Sequence, residues 1–174
     1  MVLLGLGSNL SSSFGDRFDN LNLAISYLEA YQIKIIKRSS FYETLSYPDI
    51  KNPKFINIII EVSTSLPAED LASVLIFVEE KLERKRSKKN EPRTCDIDII
   101  DYKGKVMDFS YKNLTFTVPH EKLIYRNFVL IPLQEISPKW VHPKNNDTID
   151  VLLSKLSIED KKSILKITKS WYNI

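Results

Sequence analysis

Apolar and polar positions along this chain change period several times, and each change marks an element. Residues 1–6 form a nearly continuous apolar run, the mark of a buried strand, followed by a Gly-Ser-Asn turn. Over about 16–30, Phe18, Leu21, Ile25 and Leu28 recur on one stripe of a helix. Residues 32–43 and 54–63 then read as two strands. The polar, Pro-containing segment 45–53 between them is a loop, and it is longer than a tight hairpin needs, which points to function. A second helix begins near Pro67, with Glu69 and Asp70 in the first turn, where the macrodipole favours acids, and an apolar stripe of Leu71, Val74, Leu75, Val78 and Leu82. From 94 to 100 the period returns to two, with Cys95, Ile97 and Ile99 on one side and Thr94, Asp96 and Asp98 on the other. A turn at Lys103-Gly104, the segment Thr115 to Val118 with the Pro119-His120 junction after it, a helical stretch over about 126–136 and a C-terminal helical extension over 147–174 complete the chain. The order strand, helix, strand, strand, helix, strand predicts an α+β, ferredoxin-like antiparallel sheet with helices packed on it, one face or edge being left for a site.

Length and composition narrow this picture. A chain of 174 residues with 43% hydrophobic content forms one domain, 1–174, and buries a core without disulfide or metal staples. Its one cysteine, Cys95, excludes an internal disulfide and sits on the apolar side of its strand, so it reads as core in a reducing, cytoplasmic protein. The N-terminal apolar run lacks a basic region before it, and no run approaches the roughly 18 residues that span a bilayer, so no membrane role is expected. The Gly5-x-Gly7 pair reads as a tight strand-to-helix connection, since no Walker sequence is present. His142 reads as a surface residue.

Candidate chemistry centres on the two aspartates. An isolated Asp-x-Asp on a strand is more often a solvated face than a site. Here, however, residues 81–93 hold seven Lys or Arg against two Glu, a local balance of +5 in a chain whose net charge is +3. Two like charges one pleat apart repel, and a divalent cation relieves that repulsion. Mg²⁺ suits them because it takes one or two carboxylates and fills its shell with water and substrate phosphates. Arg84, Arg86 and Arg93 would then clamp a polyphosphate, since a guanidinium can bind phosphate through two parallel hydrogen bonds. A second constellation lies on the strand around Phe55: Ile56, Ile58, Ile60 and Val62 form one apolar face, and Phe55, Asn57, Ile59 and Glu61 the other. An aromatic ring beside a carboxamide can stack on a flat heterocycle and read its edge.

Several motifs carry a family resemblance in both order and spacing. They are Gly5-Leu6-Gly7-Ser8-Asn9-Leu10, Ser40-Phe41-Tyr42-Glu43-Thr44, Phe55-Ile56-Asn57, Thr64-Ser65-Leu66, Pro92-Arg93-Thr94-Cys95-Asp96-Ile97-Asp98-Ile99, Val118-Pro119-His120 and the stretch from Arg126 to Ile136. From the first strand to about Pro138 the chain resembles the 6-hydroxymethyl-7,8-dihydropterin pyrophosphokinases of folate biosynthesis. The resemblance implies transfer of a pyrophosphoryl group from MgATP to the pterin hydroxymethyl oxygen, with release of AMP. By matching position, Asp96 and Asp98 would hold two Mg²⁺ ions, while Arg84 and Arg93 would act on the phosphates. Glu79, Arg86, Arg93, Ile99, His120 and Arg126 match ATP-binding positions. Phe55 and Phe128 would sandwich the pterin; Asn57, the Thr44 and Leu45 backbone and Asp96 complete its site. Taken alone, His120 would read as a surface histidine, but its place after Pro119 in the matching motif assigns it to ATP. The resemblance further implies a monomer whose product passes to dihydropteroate synthase.

Three departures touch loops. Asn90-Glu91 stand where many family members carry Trp-Gly, Glu83 stands where Gly is common, and Leu45-Ser46 occupy positions often filled by proline. They imply altered substrate affinity or loop closure with the chemistry kept. The rivals fit less well. A nucleotide-sugar glycosyltransferase needs a larger α/β domain, and a nucleic-acid-binding module of this fold would show RNP-like aromatics and would not place paired acids against a phosphate backbone.

Overall fold

The structure is a computed structural model describing residues 1–86 and 90–168. β1 (Val2–Ser8) lies between β4 (Phe55–Ser63) and β5 (Asp96–Tyr102), antiparallel to both. The other side of β4 pairs with β2 (Lys34–Arg38) along one half and β3 (Phe41–Thr44) along the other. α1 (Arg17–Ala30) joins β1 to β2, and α2 (Ala68–Lys81) joins β4 to β5. This is the ferredoxin-like order expected from the pattern. The single strand expected over 32–43 is instead two, broken at Ser39 and Ser40. There the Ser39 hydroxyl accepts the Ile59 N–H at 3.0 Å and so replaces a ladder bond, letting the chain bend.

One face of the sheet carries the main core. Leu4, Leu6, Ile56, Ile58, Ile60, Ile97 and Ile99 pack against Leu21, Ala24 and Leu28 of α1 and Leu71, Leu75 and Val78 of α2. The opposite face is not simply polar, as alternation suggested. At one end Leu3, Ile59 and Ile100 pack under Leu130 and Leu133 of α3 (Asn127–Ile136) and Leu152 of α4 (Ile149–Lys155). Each of these residues, interrupting an otherwise polar face, contributes about 1.5–3 kcal/mol by burial. The other end of that face stays polar and holds Asp96, Gly7 and Asn57 side by side.

Two elements differ from expectation. β6 (Met107–Tyr111) pairs with β7 (Leu114–Val118) as a separate hairpin that the sequence pattern did not assign. The stretch 147–174, expected to be helical, forms α4, a short α5 (Ile158–Lys162) and β8 (Ile164–Ile167), which adds a strand to β3. Ile164 and Ile167 sit at the ends of a segment too short for a helical stripe, and the open edge of β3 offers backbone partners. Residues 169–174 of that expectation lie outside the described residues. Among the described residues no helix is long and apolar enough to cross a membrane.

His142 is buried, not on the surface: it is 6% exposed and meets the Trp140 ring edge-on, while Trp140 donates to Asp101 at 2.7 Å. Burial lowers its pKa below 6.5, outweighing the pull of Asp147 and Asp101. The folded form therefore resists protonation that the unfolded form accepts, and stability falls as pH drops below the unfolded value. In paired thermal melts, His142→Gln is expected to lose less stability than the unsubstituted chain between pH 7.5 and 5.5, where the neutral side chain removes that proton uptake.

Candidate active site

The polar end of the second face is built on three adjacent strands. Asp96 and Asp98 project from β5 opposite Gly7 and Gly5 of β1, and Gly7 is in turn opposite Asn57 of β4. A Cβ on Gly7 would lie 3.2 Å from Asn57 Oδ1 and 3.5 Å from Phe55 Cδ1. The glycine thus keeps a floor low enough for the carboxamide to lie across β1. Gly5 and Gly7 are inside the strand and are not its connection to the helix. Gly7→Ala is expected to push Asn57 aside and weaken ligand binding on that side about tenfold with little change in melting temperature, as titration of the variant would show.

The arginines reach this floor through the end of α2. Glu83 adopts φ +65°, and the N–H groups of Glu83 and Arg84 bond to the carbonyls of Glu80 and Glu79 at 3.1 and 3.0 Å. This Schellman turn explains why a glycine would be common at Glu83. Here the Glu83 carboxylate gains bonds from the Ser13 N–H and hydroxyl, which offset the strained backbone. The turn brings Arg84 back over Glu79 and Asp96.

Glu79, 1% exposed, is the acid on which the cationic loop converges. It accepts from Arg84, from Arg86 and, at 2.7 Å, from the Ile97 N–H. Arg84 also reaches Asp96 at 2.5 Å, and Arg93 Nε stands 3.3 Å from the other Asp96 oxygen. Arg84, Arg86 and Arg93 are therefore all paired with acids in the absence of a ligand, two of them with Glu79, which lies outside the Asp-x-Asp motif. Burial pushes the Glu79 carboxyl up to about 7 against the pull of Arg84. For Asp96 burial acts in the same sense, but Arg84 and Arg93 outweigh it and hold the carboxyl below the usual range. Asp98, whose ion pair among the described residues is with Arg126 at 3.4 Å, is raised by burial and then by the charge of Asp96, against the pull of His120, Arg126 and Arg84. The repulsion that remains between carboxylates with one shared face suits a cation that completes its shell from phosphates and water. Among the described residues no third His, Cys, Asp or Glu joins them as a ligand.

A cavity of about 260 Å³ opens on one side of the aspartates. Glu79, Arg84, Arg86, Asp96, Asp98, Ile99 and His120 all line it, so most of the expected ATP-side residues come together. The Ile99 side chain is buried in the core. Since the Ile97 N–H points away from β1 to Glu79, strand alternation turns the Ile99 backbone toward the same outer edge. Thr115, Thr117 and Glu121 also line the cavity, and no pattern in the sequence had singled them out. Residues 87–89 of the basic loop lie outside the described residues.

On the other side each aspartate is tied through an arginine to a phenylalanine. The Arg93 guanidinium stands 5.4 Å from the Phe55 ring centre, and Arg126 stands 5.4 Å from that of Phe128. Asn57 donates to the Thr44 hydroxyl at 2.9 Å, leaving its carbonyl over Gly7. Leu45 is exposed at the start of the 45–53 loop. Asn9, which the sequence placed in a turn, is 2% exposed and fastens this corner. It accepts the Arg93 N–H at 2.7 Å and donates to Pro53 O at 3.0 Å and Ser46 Oγ at 3.2 Å.

Residues 3–138 match the family model described as 7,8-dihydro-6-hydroxymethylpterin-pyrophosphokinase, HPPK. A 2-amino-4-hydroxy-6-hydroxymethyldihydropteridine pyrophosphokinase of Synechocystis sp. is 34% identical over 89% of this chain and 75% of its own length. The Aquifex aeolicus protein of the same name is 37% identical over 82% of this chain and 83% of its own. The folic acid synthesis protein fol1 of Pneumocystis carinii is 33% identical over 94% of this chain, which spans only 21% of that longer protein. Among solved structures, a Plasmodium falciparum HPPK-DHPS superposes with a TM-score of 0.76 at 16% identity, over 95% of this chain and 46% of that one; the likeness is one of fold.

Proposed function

Because the chain belongs to the 7,8-dihydro-6-hydroxymethylpterin-pyrophosphokinase family, we propose that its two-sided polar site carries pyrophosphate from ATP to the hydroxymethyl group of 6-hydroxymethyl-7,8-dihydropterin. ATP occupies the cavity beside β5, where Ile99 presents backbone groups to the base, and Glu79 orients Arg84 and Arg86 beside its phosphates. His120 binds from the far wall, and Arg126 reaches the phosphates from beside Asp98. The pterin lies over Gly7, with Phe55 and Phe128 against its faces and Asn57, the Thr44 and Leu45 backbone and Asp96 at its edge. The hydroxymethyl oxygen bonds to the β-phosphorus, the bond from that phosphorus to the α,β-bridging oxygen breaks, AMP leaves with that oxygen, and the hydroxyl proton is released. Arg84 and Arg93 offset charge on the transferred group.

Asp96 and Asp98 would hold Mg²⁺, two ions in this reading, and the metal supplies charge neutralisation and alignment of the phosphate oxygens. The observation that carries the proposal is the placement of the two aspartates, each joined by an arginine to one phenylalanine, at the border of the cavity. In this reading the chain is a monomer. Joined HPPK-DHPS chains among the structural relatives support dihydropteroate synthase as the consumer of the product.

The test is incubation with MgATP and the pterin. Pterin-dependent AMP is expected; ADP as the nucleotide product, or AMP formed equally well without pterin, would defeat the assignment.

A further inference from the structure

Residues beyond 138 fall outside the stretch that the family model matches, yet they close on both walls of the pterin side. β8 runs antiparallel along β3, with Ile164 opposite Thr44 and Lys166 opposite Tyr42. β3 is itself the strand paired with Phe55 and Asn57, and Thr44 holds the Asn57 carboxamide. On the other wall, Asn127 stands between Arg126 and Phe128 at the start of α3. Its carboxamide nitrogen donates to Asp160 O at 2.6 Å and Ser163 Oγ at 2.9 Å, both more than thirty residues away in sequence. Ser163 and Ile164 are adjacent, so one short piece of backbone holds both walls at once. A third tie joins the same elements: Glu135 of α3 accepts from Tyr42 at 2.7 Å and from Lys166 at 3.3 Å.

From this convergence we infer that residues 157–167 act as a brace that sets the spacing of the pterin walls, with Asn127 as its positioning residue. The inference rests on the pterin reading for its ligand and on the contacts above for its mechanics. Among the described residues, none of the bonds given above reaches an aspartate or a residue lining the cavity beside β5, and Arg126, the ATP residue next to Asn127, keeps its own ion pair to Asp98. Loosening it therefore misplaces Phe128 and Asn57 while the ATP side keeps its own support in Glu79. A displacement of about 1 Å far from the reacting atoms is enough to cost binding and rate.

Asn127→Ala removes the carboxamide link, and Leu165→Pro breaks strand pairing at a residue that is 61% exposed and so contributes little packing. In the full chain, both are expected to speed amide exchange about tenfold in segments 41–44, 55–57 and 127–130. Both should also weaken pterin binding about tenfold while changing the KM for ATP by less than about twofold. Unchanged exchange in those segments in both variants, or equal weakening of the two substrates, would overturn the brace. If the unsubstituted chain bound no pterin, the ligand assignment would fall, while the exchange measurement would still decide the mechanical role.

Discussion

Asp98→Ala is expected to lower turnover by at least about 10²-fold with the fold intact, and Asp96→Ala to do the same with an additional loss of phosphate-side order. The difference follows from their partners. Asp98 is open over 37% of its side chain and, among the described residues, forms an ion pair with Arg126 alone, so removing it takes away a ligand position and little else. Asp96 receives Arg84 and Arg93, whose guanidiniums would lose their shared anchor. Circular dichroism and melting curves should therefore be near those of the unsubstituted chain for Asp98→Ala, with single-turnover AMP formation slowed. For Asp96→Ala, the KM for ATP should rise as well. A turnover within about threefold of the original in either variant would rule out metal-ligand status, because a charge-dominated transition state cannot lose a carboxylate so cheaply.

Much of this site was legible in the chain because strand alternation and helix periodicity are local. Asp96 and Asp98 share a face for the same reason that Ile97 and Ile99 share the other, and Phe55 and Asn57 obey the same rule on β4. Features that depend on strands meeting were not legible. Gly7 looks like a turn residue until β1 is placed between Asp96 and Asn57, where its missing Cβ becomes the floor of the site. Asn9 reads as part of a turn until residues 46, 53 and 93 converge on it. Burial of His142 depends on Trp140 packing under the second face, and Ile59 and Ile100 look misplaced on a polar face until α3 covers them. The C-terminal strand was hidden for a related reason: a four-residue segment carries too little period to declare itself, and its pairing is set by the edge it meets.

Glu79→Ala is expected to be the most damaging substitution away from the aspartates, for stability and activity together. It removes the acceptor of the buried Ile97 N–H and one of the two carboxylates facing Arg84, and it releases Arg86 to solvent. An unpaired buried donor and a half-paired buried guanidinium together cost about 3 kcal/mol. Chemical denaturation should show that loss, and turnover should fall by about tenfold or more as Arg84 loses its fixed position. Glu79→Gln separates the two effects, since it keeps the volume and an acceptor but not the charge. Burial raises the Glu79 carboxyl from 4.5 to about 7, so between those values the folded chain retains a proton that the unfolded chain has released. Stability from this group is therefore present below about 4.5 and is lost as pH rises through about 7. Relative to the unsubstituted chain, Glu79→Gln should lose less stability between pH 5 and 8 while its turnover at pH 8 stays low. Parallel pH slopes in the two proteins would mean that Glu79 remains ionised across that range, its two arginines outweighing burial.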